Sequence, residues 1–333
     1  MVNGSGRMKI HWYPWLTNLY KKILLSYQIG KGHHALLLHS NQGNGQDVLI
    51  YAISRWLMCK NPNGIKCCRT CRNCILMKSN CHPDYHVIAP DKGNAHIGIE
   101  NVRVLIEMLR RCAFQDGVKI ISLMHSELLT EAAVNALLKI LEEPPDNTYF
   151  ILGCYSYLRL LPTLLSRCCY WSLTSPQETV GLDWLKKHGI KNILHASSAL
   201  RLCNGAPLAA QCLLESKCWQ LRLHLCALML DVVVKSNFFD LLPLLCNQNN
   251  DNVLCWLISL LIDALKWQLG MKNLLINIDQ KKLISCIAVN WTTKILHDQL
   301  KGWIQCRYYL HNINGINKEL LLLHQLFNCM QSN

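Results

Sequence analysis

Residues 34–47, HALLLHSNQGNGQD, join an apolar strand to a glycine-bearing turn and the start of a helix. Ala35 to Leu38 form the strand, and the helix begins near Gln46. In such a setting backbone N–H groups cradle phosphates, with a Lys on the β/γ-phosphates and a Ser or Thr on Mg²⁺. Gly43 and Gly45 are in place, but Ser40 stands for the leading Gly, Gln46 for the Lys and Asp47 for the Ser/Thr. Gln46 brings no positive charge, and a carboxylate at Asp47 repels phosphate. On this segment alone, a plain strand–turn–helix competes evenly with a phosphate loop that has lost its chemistry.

Other segments decide. The chain has 333 residues, long enough for two or three domains, and 51% apolar against 17% charged residues makes it globular rather than disordered. Residues 1–9 are polar with no apolar run behind them, so no secretory signal is read and a cytosolic location is expected. The longest apolar run, Val253 to Ile262, is too short for a bilayer and reads as a buried helix. Nineteen cysteines in a cytosolic chain point to metal binding or core filling rather than a disulfide framework. Cys203, Cys212 and Cys226 fall on apolar helical stretches and are expected to be buried. The formal charge of +13 permits nucleic-acid contact, but the basic residues (Lys21, Lys22, Arg110, Arg111, Lys186, Lys187, Lys281, Lys282) are scattered, with no aromatic-basic platform.

The first half alternates strand and helix. Helices are predicted over Trp15–Ile29, Asp47–Met58, Ile99–Phe114 and Glu131–Glu142, and strands over Ala35–Leu38, Tyr85–Ala89, Lys119–Met124 and Thr148–Cys154. Short apolar runs between longer helical patterns indicate a parallel sheet covered on both faces. A boundary falls near Leu173, followed by Ser175-Pro176-Gln177-Glu178, in which Ser175 is expected to cap a helix with Pro176 at its first position. Beyond it nearly everything is helical: Gln177–Lys187, Ile193–Leu202, Pro207–Leu214, then longer amphipathic helices over Trp219–Leu326.

Between the second helix and the next strand lies CKNPNGIKCCRTCRNC. Cys68, Cys71 and Cys74 make two overlapping C-x₂-C pairs, and Cys59 sits nine residues earlier. Four thiolates that can converge on a tetrahedron suit a closed, structural zinc site. A ferredoxin-type cluster needs a further Cys where Lys78 stands, and a redox dithiol would leave two cysteines idle. Cys59 is the favoured outer ligand, with Cys67 and Cys81 as substitutes.

The helix EAAVNALLKILEEPP stacks Ala133, Ala136, Leu137, Ile140 and Leu141 in one apolar stripe and is stopped by two prolines. Glu142 and Glu143 read as a solvated helix end. An ATPase places an adjacent Asp-Glu at the end of the preceding strand to hold Mg²⁺ and polarise water; those positions hold Met124 and His125. Ser166-Arg167-Cys168 follows a short apolar helix. Arg167 is either a surface charge or an arginine finger aimed at a neighbouring subunit's γ-phosphate.

A failed phosphate loop, a four-Cys insert, an NALLK–LEEPP helix, an SRC turn and a helical second half, in that order, resemble the AAA+ clamp-loader family of bacterial DNA polymerase III. The similarity runs from Trp12-Tyr13-Pro14-Trp15 to Gly315-Ile316-Asn317-Lys318-Glu319-Leu320-Leu321; residues 1–9 lie outside it, and Met8 is an alternative start. The resemblance implies an α/β, RecA-like AAA+ core over 10–174 with a zinc module at about 59–74, an all-α lid over 175–216 and an all-α collar over 217–330. It implies a five-subunit ring with the motor (tau/gamma) and delta subunits, acting on the sliding clamp and primed DNA. The lid of an active ATPase offers an Arg to the nucleotide, and Leu208 stands at the matching position. On this basis the chain is expected to be a stator without productive ATP binding, its Gly43, Gly45, Gln46 and Asp47 loop inert, its metal on Cys59, Cys68, Cys71 and Cys74, and Arg167 acting in trans. An ATP-hydrolysing motor subunit and a stand-alone zinc-dependent nucleic-acid binder are the competing readings.

Overall fold

The computed structural model describes residues 11–90, 95–110, 113, 117–235, 237–246, 250–313 and 315–331. Residues 1–9 with Met8, and Arg111 and Phe114 at the end of the predicted Ile99–Phe114 helix, lie outside this set. The chain forms two compact units that meet in sequence at Pro176 and Gln177.

The first unit is a parallel sheet with helices on both faces. Its elements are α1 (Leu16–Gln28), β1 (Ala35–Ser40), α2 (Gln46–Leu57), α3 (Arg72–Lys78), β2 (Tyr85–Ile88), α4 (Ile99–Arg110), β3 (Lys119–Leu123), α5 (Glu131–Glu142), β4 (Thr148–Cys154), α6 (Pro162–Leu165) and β5 (Cys169–Leu173). The strand order is β2-β3-β4-β1-β5, and every pairing is parallel. Leu37 of β1 lies opposite Leu152 of β4 and Tyr170 of β5. Because strand side chains alternate, Leu37, Phe150 and Leu152 pack with Val102, Leu105, Leu137 and Leu141 on one face. Leu36, Leu38 and Ile151 pack with Ile23, Leu24, Ile50 and Ile53 on the other. Each fully buried Leu stabilises the unit by about 1.5–3 kcal/mol.

This order places β1 between β4, reached after two strands on one side, and β5 on the other. Loops at the carboxyl ends of β1 and β4 therefore flank the point where the winding direction changes, the usual ligand position in such sheets. Gly153 lets α2 close on β4: a Cβ there would stand 2.9 Å from Ile50 Cδ1 and 3.0 Å from the Met124 carbonyl oxygen.

The second unit is helical: α7 (Glu178–Lys187), α8 (Ile193–Leu202), α9 (Pro207–Glu215), α10 (Lys217–Lys235), α11 (Leu242–Leu245), α12 (Asn250–Gln268), α13 (Lys281–Asn290), α14 (Thr293–Asn312) and α15 (Lys318–Gln331). The apolar run Val253–Ile262 lies within α12 and buries Val253, Leu254, Leu257, Leu260 and Leu261. No described helix is long and apolar enough to cross a membrane. Two expectations are corrected. Ser175 does not cap α7, whose N-cap is Gln177 without a side-chain bond, because the Ser175 hydroxyl is engaged by the amide of Asn44 at 3.1 Å. Cys226 is buried, but Cys203 is only half-buried and Cys212 is exposed.

A buried ion pair joins α10 to the segment before α13. Arg222, fully buried, donates Nη1 to Asp279 Oδ2 at 2.8 Å and Nη2 to Asp279 Oδ1 at 2.9 Å and Asn277 Oδ1 at 2.8 Å. Burial alone would raise the Asp279 carboxyl, but the hydrogen bonds and charge of Arg222, with Ser198 and Gln280, hold it below the usual carboxylate range. A carboxylate depressed in the folded state stabilises above its unfolded value and loses that contribution as pH falls through the folded one. R222M leaves Asp279 buried without its cation and is expected to destabilise the unit by about 3–5 kcal/mol at neutral pH. In urea unfolding the gap between the two proteins should narrow as pH drops below about 4, near the unfolded carboxylate pKa.

Candidate functional site

The loop between β1 and α2 is closed by the chain's own side chains. Gly43 and Gly45 take positive φ values of 87° and 80°, which shape the turn and set Gly45 as the left-handed N-cap of α2. Gln46, the first residue of α2, is 2% exposed and turns inward. Its Nε2 donates to the Leu38 carbonyl of β1 and, at 3.3 Å, to the Cys154 carbonyl of β4. The side chain standing where a phosphate loop carries its Lys thus ties two neighbouring strands together, with both amide N–H groups committed.

The entrance is covered as well. The rings of Tyr13 and Trp15 stack with centroids 5.2 Å apart, and the Trp15 indole N–H donates to the Asn44 carbonyl at 2.9 Å. A Cβ on Gly45 would stand 2.7 Å from the Tyr13 ring, so that ring lies against the start of α2. Asn44 is fully buried and held by Ser175. Asp47 is exposed next to this cover. Burial first, and then the Asp47 charge, raise the Tyr13 hydroxyl; the Tyr155 hydroxyl is raised by burial, Asp47 and Glu127. Asp47 thus adds negative charge beside the loop, where a phosphate needs positive charge. His125, at the carboxyl end of β3, is partly exposed and stands edge-on to Tyr155 at 5.3 Å, with Glu127 at 3.8 Å. Glu127 is engaged in turn, its Oε1 accepting the Tyr155 N–H at 3.3 Å.

The cysteine insert forms the second site. Cys59 follows α2, Cys71 caps α3 by accepting the Cys74 N–H, and Arg69, at φ 64°, turns the chain between Cys68 and Cys71. The thiols of Cys59, Cys68, Cys71 and Cys74 all lie within 4.8 Å of one another. Cys67 and Cys81 stay outside this group. The Cys59–Cys68 and Cys68–Cys74 sulfur separations are 3.5 and 3.9 Å. Those distances are too long for a disulfide, and the four cysteines are free. A tetrahedron of zinc–sulfur bonds of about 2.3 Å sets its sulfurs about 3.8 Å apart, so the donor set fits that ion. Backbone N–H groups of Cys68, Cys71 and Cys74 donate to Cys59, Cys68 and Cys71 sulfur at 3.3, 3.3 and 3.5 Å, hydrogen bonds that stabilise negative charge on those sulfurs. The N–H groups of Cys71 and Thr70 pull the Cys68 thiol down to about 6, whereas burial pushes Cys59 and Cys74 up. A bound cation reverses that upward shift.

The insert is anchored to the rest of the unit. Asn73 donates to the Met58 carbonyl at 3.0 Å, Trp56 to the Gly64 carbonyl at 2.9 Å, and the Tyr20 hydroxyl to the Ile65 carbonyl at 3.0 Å. The helix α3 and these anchors have no signal in the spacing of the cysteines.

Arg167 sits between α6 and β5, a third of its side chain exposed. Its guanidinium meets Glu142, the last residue of α5, and donates Nη1 to the Thr163 carbonyl at 3.0 Å. Of the two carboxylates read as a solvated helix end, Glu142 therefore has a partner. Neither residue alone signals the pairing, since 25 positions separate them.

Sequence families account for nearly the whole chain. The family described as "DNA polymerase III, delta subunit" matches residues 15–177, "DNA polymerase III subunit delta', AAA+ ATPase lid domain" matches 176–215, and "DNA polymerase III, delta subunit, C terminal" matches 216–331. The chain is 45% identical over 322 residues to the DNA polymerase III subunit delta-prime of Yersinia pestis, covering 95% of both chains. It is 40% identical over 313 residues to that of Escherichia coli, covering 94% of this chain and 93% of the relative. It is also 39% identical over 315 residues to that of Buchnera aphidicola from Schizaphis graminum, covering 95% and 96%.

The role of the inward amide is measurable. Q46M keeps the side-chain length and removes both donors from the Leu38 and Cys154 carbonyls, and is expected to lower unfolding stability by about 1–3 kcal/mol. An unchanged urea midpoint would mean that the amide is idle.

Proposed function

The chain belongs to the family of DNA polymerase III delta-prime subunits, and on that footing we propose that it is a clamp-loader subunit which cleaves no ATP itself and lends Arg167 to an ATP site on a neighbour. The observation that carries the first half is Gln46. Its amide is turned away from the loop and bonded to two strand carbonyls, so nothing in that position can neutralise a β/γ-phosphate. Met124 and His125 at the end of β3 and Leu208 at the start of α9 supply no acid pair and no cation in place of the missing chemistry. The failed loop is inert: Gly43, Gly45, Gln46 and Asp47 bind no nucleotide productively.

In the working assembly this chain is a stator. Its partners are the ATP-hydrolysing tau/gamma subunits and delta, and the assembly opens the sliding clamp and places it on primed DNA in the cytoplasm. The AAA+ core spans 10–174 with the metal module at about 59–74, the lid 175–216 and the collar 217–330; the boundaries of the three family matches support this division. Arg167 leaves α6 on a short turn, and its guanidinium offers fixed charge where a γ-phosphate develops negative charge in the transition state.

Zinc, held by Cys59, Cys68, Cys71 and Cys74, supplies cross-linking rather than chemistry. Four thiolates close the coordination sphere, and Cys71 also caps α3, so the ion stabilises the knuckle directly.

Two measurements test these assignments. Elemental analysis of the purified chain is expected to find one zinc and no iron, and C71S to lose the metal and melt at lower temperature; finding no metal in the parent protein rejects the site. In a reconstituted loader, R167A is expected to leave assembly intact and to cut ATP turnover and clamp loading by about 10³-fold, as for other trans arginines. Normal loading by R167A refutes the finger.

A further inference from the structure

The contact between α5 and the turn after α6 has a shape that a surface ion pair does not require. Arg167 donates Nε to Glu142 Oε1 at 2.6 Å and Nη2 to the same oxygen, while Nη1 donates to the Thr163 carbonyl at 3.0 Å and the Ser166 hydroxyl at 3.3 Å. A guanidinium has five N–H donors. Four are committed to these partners, which leaves one N–H, on Nη2.

Glu142 itself stands where a carboxylate is out of place. It ends α5, and Glu143 follows as the C-cap, so two acids face the negative end of the helix dipole. A cation resolves that conflict, and Arg167 provides it for Glu142. The backbone around Glu142 is also fixed on both sides. The Leu141 carbonyl is bonded to His34 Nε2 at 2.8 Å and the Leu141 side chain is buried in the core, while Pro144 and Pro145 forbid a further helical turn. The carboxylate is thus mounted on a rigid support, as a group that must hold another group's geometry needs to be.

We infer that Glu142 is the positioning residue for Arg167: it fixes the plane of the guanidinium on this chain's surface so that the one uncommitted Nη2 N–H is presented outward, to a phosphate oxygen of a neighbouring subunit. This rests on the arginine-finger reading above. Glu142 touches no phosphate and acts only through Arg167. Without it, a flexible side chain with many rotamers must be ordered during each turnover instead of beforehand.

The test is a double-mutant cycle in the reconstituted loader, with E143A as the control for lost negative charge at the same helix end. E142A is expected to lower kcat for ATP turnover about tenfold with little change in KM, since it loosens the finger without removing it. E142Q keeps an acceptor oxygen and is expected to recover to within about threefold of the parent. In the R167A background, E142A should add no further loss. With the chain alone, the Arg167 Nε–H resonance should move to the solvent-exposed position in E142A and stay put in E143A. R167A impaired but E142A at parental kcat overturns this inference and leaves the finger standing; an equal E142A loss in the R167A background overturns it too. R167A with full turnover removes the finger and this inference together. Melting curves separate misfolding from loosening, because the Nε–H readout is taken on folded protein.

Discussion

Two carbonyls at the carboxyl ends of adjacent strands, Leu38 on β1 and Cys154 on β4, face the start of α2, and the Gln46 amide answers both. Buried polar groups need partners, and an unpaired carbonyl here would cost about 1–3 kcal/mol. A lysine at the same position is committed to phosphate in a nucleotide-binding loop and to water without one. Glutamine removes that dependence by making the bond internal. The loop can then pack against Tyr13 and Trp15, and Asn44 can be buried and tied to Ser175. The closed loop is a consequence of one side chain facing inward.

The same helix carries the four-cysteine cluster at its other end. Trp56 on α2, Met58 just after it and Cys59 connect the sheet to the insert through hydrogen bonds and a thiol of the four-cysteine cluster. A four-cysteine cluster without a folded support would be four dispersed thiols. Here α2, anchored by Gln46 at the sheet and packed through Leu49, Ile50 and Ile53, delivers Cys59 to within 3.5 Å of Cys68 sulfur. The two candidate sites are thus opposite ends of one rigid rod.

Much of the fold is legible in the sequence. The alternation of short apolar runs with helical patterns gave the parallel sheet, and Glu131–Glu142 and Thr148–Cys154 are the observed elements to the residue. The cysteine spacing selects a small set of ligand combinations, because C-x₂-C geometry is local. Ser175 misled because its capping signature is also local: a hydroxyl next to Pro and three residues before Glu competes with any deeper polar partner, and buried Asn44 wins. Cys212 misled because an apolar neighbourhood along the chain does not say which side of α9 faces inward.

Sequence by itself determined the types of element, the missing cation at Gln46 and the added carboxylate at Asp47, and the presence of five cysteines within sixteen positions. Those properties reside in single side chains or in contacts a few residues apart, where chain connectivity already limits the geometry. Only the tertiary structure decided that Gln46 bonds β1 and β4, that Cys59 rather than Cys67 or Cys81 joins the cluster, and that Glu142 meets Arg167 across 25 residues. Each of those depends on how strands pair and helices pack, and the orientation of a side chain toward a distant partner is fixed only when the backbone between them is.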